Sequence, residues 1–380
     1  MKILITGAHF TPAVATIEEL KKMDGVEVVY VGRKTTLEGD KALSVESKVL
    51  PAMGVKFIPI ITGRLQRSFT PYTIPSLLKI PIGLIQALYI ILSEKPDVIL
   101  SFGGYVAVPV VIVGWLFSIP TIVHEQTITL GLANRINSIF ADKIAASFEK
   151  GVLKGEKVIL TGNPVRQNIL DLSRLPAGKA GPGDITEEYS EIFKSARKDK
   201  KPVILFTGGN QGSHVINLAV EESLDKLLKI ACIIHVTGDN KFEDFERLQG
   251  LQTGRYLVKK WIGEEWGVIL SQVDLVICRA GINTLNELAY LGKPALIIPI
   301  ASSEQNKNAK YFEELGLVKV LSQSKLSGET LLRNIRLLLN GLNYLTKKTK
   351  EAKKIIIPDA AKRLALETVL LGQKIEANRI

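Results

Sequence analysis

Short runs of consecutive aliphatic residues recur along most of this 380-residue chain and alternate with stretches of helical periodicity. The first half contains six such runs: KILIT, VEVVYVG, KFIPII, DVILSF, TIVHE and KIAASF. A strand that is apolar at successive positions is buried on both faces, which is typical of a parallel sheet covered by helices. Between the first two runs, residues 11–22 begin with Thr-Pro and place Val14, Ile17 and Leu20 on one helical face. The pattern predicts consecutive β-α-β units.

A second series of the same kind follows residues 163–201, with the runs VILFTGG, ACIIHVTGD, YLVKKW, DLVICRAG, ALIIPI and VKVLS. Residues 163–201 contain PAGKAGPGD and the charged run KSARKDKK, which favour a linker or a surface insertion. We therefore predict an α/β protein of two doubly wound domains. The first is expected at residues 1–162 and the second at 163–344, with a basic C-terminal helix at about 345–380 that packs back on the first domain.

Composition restricts the class of partner. The net charge of +11 fits an anionic partner such as nucleic acid, anionic lipid or a phosphorylated substrate, and it equally fits ordinary solubility charge. The basic residues are scattered and no basic stretch is interleaved with aromatic residues, so nucleic acid is not an expected partner. Cys232 and Cys278 lie in apolar runs without a CxxC or Cys/His cluster, which argues against a zinc or redox site and fits a reducing cytosol.

Two apolar stretches suggest contact with a membrane surface. Residues 80–92 and 106–117 are interrupted by proline and glycine and are shorter than the ~20 residues that a spanning helix needs. The N-terminal MKILITGAHF is expected to be a first strand and not a signal peptide. The apolar residues 65–92 have Arg64, Arg67 and Lys79 around them and Trp115 as a candidate companion, which would suit anionic headgroups. The alternative is that residues 80–92 form a buried helix.

Ligands of doubly wound sheets bind beyond the carboxyl ends of the strands, so the loops that follow the strands are the candidate site. In the first domain these loops are Thr6-Gly7-Ala8-His9, Ser101-Phe102-Gly103-Gly104-Tyr105 and His124-Glu125-Gln126. Glycine turns at helix N-termini suit phosphate, although each is also compatible with an ordinary tight turn. His9 is a candidate general base near neutral pH. For Glu125 a structural role, holding the loops by hydrogen bonds, is favoured.

The second domain has a stronger anion-loop signal. Residues 207–213, TGGNQGS, place three glycines at a strand-to-helix turn, and the missing Gly-Lys-Ser/Thr argues against an ATPase. Residues 278–287, CRAGINTLNE, also turn from a strand into a helix, where Gly281 allows the turn and the helix N-terminus suits a diphosphate. Glu287 is predicted either to accept bonds from ribose hydroxyls or to complement the helix dipole. Gln305, which both donates and accepts, suits a sugar.

Two further features bear on how a diphosphate would be held. Arg166, in GNPVR at the domain junction, suits phosphate by its guanidinium fork, or forms an interdomain salt bridge. No DxD motif occurs, so helix termini and arginine would have to neutralise a diphosphate without a metal ion. We therefore expect a metal-independent reaction and no metal site.

Taken in order, FGGYV, HEQ, GNPVR, GGNQG, the segment from CRAG to Glu287, and Gln305 with Asn308-Ala309 resemble the MurG family of peptidoglycan glycosyltransferases over residues 1–335. The resemblance implies a GT-B fold, in which two Rossmann-like domains face each other across a cleft. It implies an inverting transfer of N-acetylglucosamine from UDP-N-acetylglucosamine to lipid I, giving lipid II for peptidoglycan synthesis and hence cell shape and division. It implies no cofactor and a peripheral position at the cytoplasmic face of the cell membrane.

The resemblance also implies residue roles, with His9 as the catalytic base. The acceptor-diphosphate loops would be Thr6, Gly7, Ala8, Gly103, Gly104 and Tyr105. The UDP-sugar contacts would be Thr127, Arg166, Asn210, Ile262, Ile282, Asn283, Thr284, Leu285, Asn286, Glu287 and Gln305. This chain departs from the family in a shorter first glycine loop, in Thr127 where asparagine is usual, and in Asn210 where serine is usual. These departures leave open a related UDP-sugar transferase with another acceptor and a UDP-sugar epimerase. A third alternative, a non-catalytic UDP-sugar or nucleic-acid binding module, is supported only by the net charge of +11.

Overall fold

A computed structural model describes residues 1–35, 44–63, 73–150, 155–174, 185–209, 211–301, 303–352 and 356–379. The chain forms two compact units. The first unit comprises Met1–Arg166 together with Ile357–Ile380, and the second comprises Gln167–Ile356.

The first unit is built on a seven-stranded sheet with the order β3-β2-β1-β4-β5-β6-β7, in which neighbouring strands are parallel. Its strands are β1 (Lys2–Thr6), β2 (Glu27–Gly32), β3 (Lys56–Pro59), β4 (Val98–Ser101), β5 (Thr121–Glu125), β6 (Lys143–Ala146) and β7 (Val158–Leu160). Its helices are α1 (Phe10–Leu20), α2 (Val45–Ala52), α3 (Thr73–Glu94), α4 (Ala107–Leu116), α5 (Leu132–Phe140) and, at the end of the chain, α15 (Ala360–Arg379). The six strands predicted here are confirmed, and β7 was not predicted.

Successive residues of β1 explain why the aliphatic runs are continuous. Ile3 and Ile5 pack into one core with Ile17 of α1 and Leu364 of α15. Leu4 points to the opposite face and packs into a second core with residues of α3 and α4. Because side chains alternate across a strand, both faces of the sheet are covered by helices, as the sequence predicted.

The second unit has a six-stranded parallel sheet with the order β10-β9-β8-β11-β12-β13. Its strands are β8 (Val203–Thr207), β9 (Cys232–Val236), β10 (Tyr256–Lys259), β11 (Leu275–Cys278), β12 (Ala295–Ile297) and β13 (Lys319–Val320). Its helices are α6 (Gln167–Arg174), α7 (Glu187–Asp199), α8 (His214–Leu228), α9 (Asp244–Gln249), α10 (Trp266–Gln272), α11 (Ile282–Leu291), α12 (Gln305–Glu314), α13 (Gly328–Asn340) and α14 (Leu342–Ala352). All six predicted strands are present.

Two segments differ from the sequence-based expectation. The predicted linker at 163–201 contains α6 and α7, and most of its charged run lies on α7, whose Tyr189, Ile192, Phe193 and Ala196 are buried at helical spacing. PAGKAGPGD lies outside the described residues. The C-terminal stretch forms two helices instead of one: α14 packs on α11 and α13, and α15 packs on α1 and β4.

The length expected for the first apolar stretch was wrong. Helix α3 continues through Pro81 and Gly83, and Ser76–Glu94, with a mean hydropathy of 1.7, is one described helix long and apolar enough to cross a membrane by length and composition. Gly83 permits this course, since a side chain there would approach Thr62 Oγ1 to 2.5 Å. The alternative of a buried helix was also wrong, because only 28% of this window is buried. The buried side of α3 packs on the sheet of the first unit. A transmembrane position of α3 would require this packing to be broken.

Candidate functional site

The loops after β1 and β4 lie side by side at the centre of the first sheet. Strand order reverses there, β2-β1-β4, which is the switch point at which doubly wound sheets form a binding crevice. The Phe102 amide donates to the Thr6 carbonyl at 2.7 Å, and the Ala8 amide donates to the Gly103 carbonyl at 3.0 Å. The two predicted acceptor loops are therefore one continuous piece of structure.

Close packing of these loops accounts for their glycines. Gly7 has φ 146°, and a Cβ there would lie 2.9 Å from the Phe102 carbonyl carbon. Gly104 has φ 79°, and its Cβ would lie 2.5 Å from the Ala8 Cβ. The Ala8 amide is already bonded within the loops, and the Gly103 amide donates to the Ser101 hydroxyl, so neither is presented to a ligand. Tyr105 is half-buried beside them.

His9, the candidate base, is half-buried immediately before α1 and is held by Gln126. Its Nδ1 lies 2.8 Å from the Gln126 side-chain nitrogen, although the two residues are 117 positions apart in the sequence. The Gln126 side chain is 5% exposed, and its Oε1 has no hydrogen-bond partner among the described residues. The sequence predicted both residues for the site but not their contact.

His124 and Glu125 have structural surroundings. Burial lowers the pKa of His124 to about 4, despite its contact with the Gly162 carbonyl, so this ring is neutral at physiological pH. The Glu125 carboxylate accepts hydrogen bonds from the Gly131 amide, the Asn134 side chain, and the amide and hydroxyl of Thr127. Glu125 therefore fixes the loop that follows β5, as the favoured alternative predicted. The hydroxyl of Thr127 is engaged inside that loop, and its sugar contact stays a prediction.

In the second unit, a short loop after β11 leads to helix α11, whose N-cap residue is Gly281. Space is open around Gly281, since a Cβ would find no described neighbour closer than the Thr284 hydroxyl at 4.0 Å. Ile282, Leu285 and Asn286 are buried, and the Asn286 amide donates to the Ile282 carbonyl. As contacts of a UDP-sugar, these three residues stay predictions. Asn283 and Thr284 are half-buried.

Glu287 and Gln305 are both tied to neighbouring elements. The Glu287 carboxylate is 2% exposed and accepts a hydrogen bond from the Trp266 indole N–H at 2.8 Å. Gln305 Oε1 accepts from the amides of Ala280 and Ile300, each at 3.2 Å, and so joins the loops after β11 and β12. Trp266 was missed by the sequence analysis, because nothing in its local sequence distinguishes it from a core tryptophan.

The remaining predicted donor residues are placed as follows. In the loop after β8, a Cβ on Gly212 would lie 1.8 Å from the Thr237 carbonyl oxygen, whereas Gly209 has open space beside it. Asn210 lies outside the described residues. Ile262 is half-buried in the loop after β10. Arg166 is half-buried and is the last residue of the N-terminal segment of the first unit.

Neither cysteine is suited to chemistry. Cys232 and Cys278 are buried free thiols, and burial raises the pKa of Cys278 to about 12, which keeps it an unreactive thiol. Within the described ranges, no group of three or more His, Cys, Asp or Glu side chains is arranged to hold a metal ion.

Two units, each a doubly wound parallel sheet with glycine loops at the carboxyl ends of its strands, define the class of nucleotide-binding α/β proteins. Comparison with known families is more specific. The glycosyltransferase family 28 N-terminal domain matches residues 6–146, and the glycosyltransferase family 28 C-terminal domain matches residues 203–364.

Named relatives extend over nearly the whole chain. A protein of Clostridium botulinum (strain Loch Maree / Type A3) is 35% identical over 363 residues, covering 93% of this chain and 95% of the relative. One of Clostridium tetani (strain Massachusetts / E88) is 33% identical over 355 residues, covering 90% and 89%. Both are named UDP-N-acetylglucosamine--N-acetylmuramyl-(pentapeptide) pyrophosphoryl-undecaprenol N-acetylglucosamine transferase. The chain therefore belongs to glycosyltransferase family 28 and, within it, to the MurG family that its motifs resemble.

Solved structures confirm the predicted GT-B fold. Acinetobacter baumannii MurG has a TM-score of 0.69 at 22% identity, covering 97% of this chain and 98% of that one. UDP-GlcNAc 2-epimerase from Neisseria meningitidis, solved with UDP-GlcNAc, has a TM-score of 0.64 at 16% identity, covering 97% and 100%. At these identities the likeness concerns the fold alone, which transferases and epimerases share.

Proposed function

We propose that this protein transfers N-acetylglucosamine from UDP-N-acetylglucosamine to lipid I, with inversion at the anomeric carbon, to form lipid II. The observation that carries the proposal is the 35% identity over 363 residues to a transferase named for this donor and a pyrophosphoryl-undecaprenol acceptor. Lipid II supply would link the enzyme to peptidoglycan synthesis and so to cell shape and division. The first unit would take the acceptor and the second unit the nucleotide sugar.

The second unit offers the donor site that this reaction needs. The N-terminus of α11, open beside Gly281, would place backbone N–H groups and the positive end of the helix dipole at the diphosphate. Glu287 would accept from the ribose hydroxyls, and the half-buried Ile262 would contact the uracil. Gln305, whose oxygen already bonds two backbone amides, would donate from its nitrogen to the sugar. Arg166 and Asn210 stay predicted contacts of the donor, and charge developing on the leaving UDP would be stabilised without a metal ion.

The first unit offers a base at the switch point of its sheet. His9 lies at the end of the glycine loop, where the acceptor diphosphate would rest against residues 6–8 and 103–105. To take the proton of the acceptor hydroxyl on Nε2, the neutral imidazole would carry its own proton on Nδ1, and the resulting imidazolium would keep that Nδ1–H beside the new Nε2–H. Gln126 can receive that N–H if its amide turns by 180°. The turn replaces the contact of the Gln126 nitrogen with Nδ1 by one from Oε1, which has no hydrogen-bond partner among the described residues.

A membrane surface is the proposed docking partner of the first unit. Helices α3, α4 and α5 pack side by side, and large apolar side chains on them are 39% to 74% exposed. We call this the apolar face; its members are Ile74, Leu77, Leu78, Ile82, Ile85, Leu88, Tyr89, Leu92, Trp115, Leu116, Phe117, Leu132 and Ile139. On α3 they recur at helical spacing, which gives one continuous stripe.

The occupant of the apolar face is argued from the acceptor and from charge. An undecaprenol-linked acceptor resides in a bilayer, so an enzyme acting on it gains from apolar surface that enters the headgroup region. Lys79 on α3 and the exposed Arg135, one turn before Ile139 on α5, would meet anionic headgroups. Arg64 and Arg67, predicted for the same role, lie outside the described residues. The protein would thus lie at the cytoplasmic face of the membrane.

The test is a transfer assay with labelled UDP-N-acetylglucosamine and a lipid I analogue, in EDTA. We expect a β-linked disaccharide product that forms in EDTA at the rate seen with magnesium, and loss of that product in His9→Ala. Isomerised UDP-sugar formed without acceptor would instead establish an epimerase. Donor binding with neither product would refute a catalytic role.

A further inference from the structure

Trp266 makes a contact with the proposed donor site that neither the motifs nor the family resemblance assigns. Its indole Nε1–H donates to Glu287 Oε2 at 2.8 Å, and the Glu287 side chain is almost completely buried. Trp266 begins α10, a different element from α11, so this bond connects two helices across 21 positions of sequence.

The indole is held in place by the packing of its neighbour. Gly267 is buried against α6, where a Cβ would lie 3.0 Å from Leu172 Cδ1 and 3.2 Å from Ile169 Cδ1. The Trp266 amide also donates to the Gly263 carbonyl at 3.2 Å, which closes the turn before α10. Backbone on both sides of the tryptophan is therefore fixed, and so is the direction from which its N–H reaches the carboxylate.

We propose that Trp266 is a positioning residue that orients the Glu287 carboxylate to recognise the vicinal diol of a nucleotide's ribose. A buried carboxylate needs hydrogen-bond donors, and the Trp266 indole supplies one of them from a direction that its own helix sets. A carboxylate has about four acceptor positions, so it can hold the indole and still accept from two hydroxyl groups. Fixing one oxygen from the side fixes the plane of the carboxylate, which determines whether it meets both hydroxyls together.

This inference rests on the proposed use of Glu287 for the donor's ribose, and binding of UDP alone tests it without any acceptor. Calorimetry would compare UDP with 2′-deoxy-UDP for the wild type and for Trp266→Phe, which removes the N–H and keeps an aromatic ring. We expect the wild type to prefer UDP. Trp266→Phe should weaken UDP binding by about 10- to 100-fold, because a carboxylate that is no longer oriented would lose one of its hydrogen bonds to the ribose hydroxyls. It should weaken 2′-deoxy-UDP binding much less, so that the preference falls.

Trp261→Phe is the matched control. Trp261 lies in the loop that precedes α10 and is 70% exposed, and we expect this variant to keep the wild-type preference between the two nucleotides. Should Trp266→Phe fail to fold, benzothienylalanine at position 266 replaces the N–H by sulfur and keeps the shape of the indole. We expect it to show the same selective loss of UDP affinity.

Three results would overturn the inference. One is a Trp266→Phe variant that binds UDP as tightly as the wild type does. Another is an equal loss of affinity for UDP and 2′-deoxy-UDP in that variant, which is expected if Trp266 only packs. A wild type that binds UDP and 2′-deoxy-UDP equally would show that Glu287 does not recognise the diol. The proposed function is tested separately. If the wild type prefers UDP and Trp266→Phe does not, the inference is supported. If the same wild type transfers no sugar to a lipid acceptor, the proposed transferase activity is overturned.

Discussion

The contact between Gln126 and His9 leads to a quantitative expectation for Gln126→Leu. Leucine fills the buried space that the amide occupies, but it cannot accept the Nδ1–H, which the imidazole carries both as a base through Nε2 and as the imidazolium. A hydrogen bond to a charged group contributes about 1.5–3 kcal/mol. At 1.36 kcal/mol for each factor of ten in rate, kcat should fall by about 10- to 150-fold. The donor KM should stay unchanged, since neither residue belongs to the proposed donor site.

The assay is steady-state transfer to a lipid I analogue at saturating donor, with Gln126→Glu as the matched variant. A glutamate keeps an oxygen acceptor toward Nδ1, so it should retain most of the activity that Gln126→Leu loses. Thermal unfolding would establish that both variants are folded. If Gln126→Leu kept kcat within twofold of the wild type, or if Gln126→Glu were as impaired as the leucine variant, the assignment of His9 as a base supported by Gln126 would be refuted.

Three further expectations follow from the structure. Gly104→Ala should lower the free energy of unfolding, measured in urea, by about 2–4 kcal/mol, because Gly104 has a positive φ and its Cβ would lie 2.5 Å from Ala8. Gly25 has a similar φ but open space beside it, so Gly25→Ala should lower it by about 1 kcal/mol. Ile85→Asp should reduce flotation with phosphatidylglycerol vesicles at least severalfold, while Leu337→Asp, at an exposed leucine of the second unit, should leave it unchanged; equal flotation of the two variants would exclude the apolar face. Because burial lowers the pKa of His124 to about 4 in the folded state, the unfolded state binds more protons as the pH falls below about 6.5. The free energy of unfolding should therefore fall by about 2 kcal/mol between pH 7 and pH 4.5 because of His124. His124→Gln should remove this part of the pH dependence.

The strands were predictable because burial on both faces requires continuous aliphatic residues, a local property of the sequence. Strand β7 was missed because its three residues are too short to be distinguished from an apolar loop. Helix α7 was missed because its charged residues dominate the composition, although four buried residues at helical spacing hold it against the sheet. In the part of α3 that the structure describes, apolarity could be read from the sequence, but whether it faces protein or solvent depends on the packing of α4 and α5.

The site was predictable by position and not by partner. Glycine loops at the ends of strands identify where a ligand binds, because parallel strands bring their carboxyl ends to one edge of a sheet. The contacts that give a residue its role join distant parts of the chain, as Gln126 does with His9 and Trp266 with Glu287. Such pairs leave no periodicity or spacing in the sequence, so only the folded chain reveals them.

Two buried glutamates show why burial alone does not identify a ligand-binding acid. Glu125 is the last residue of β5, Glu287 lies in α11, the helix that follows β11, and both are at most 5% exposed. Four donor groups from within nine residues occupy both oxygens of Glu125, so its charge is used in shaping its own loop. Glu287 instead receives a neutral N–H from a separate helix, beside the open N-terminus of α11. The same side chain, at the end of a strand in one unit and within a helix in the other, thus differs in the source of its donors, and a donor held by another element can orient a carboxylate for a ligand.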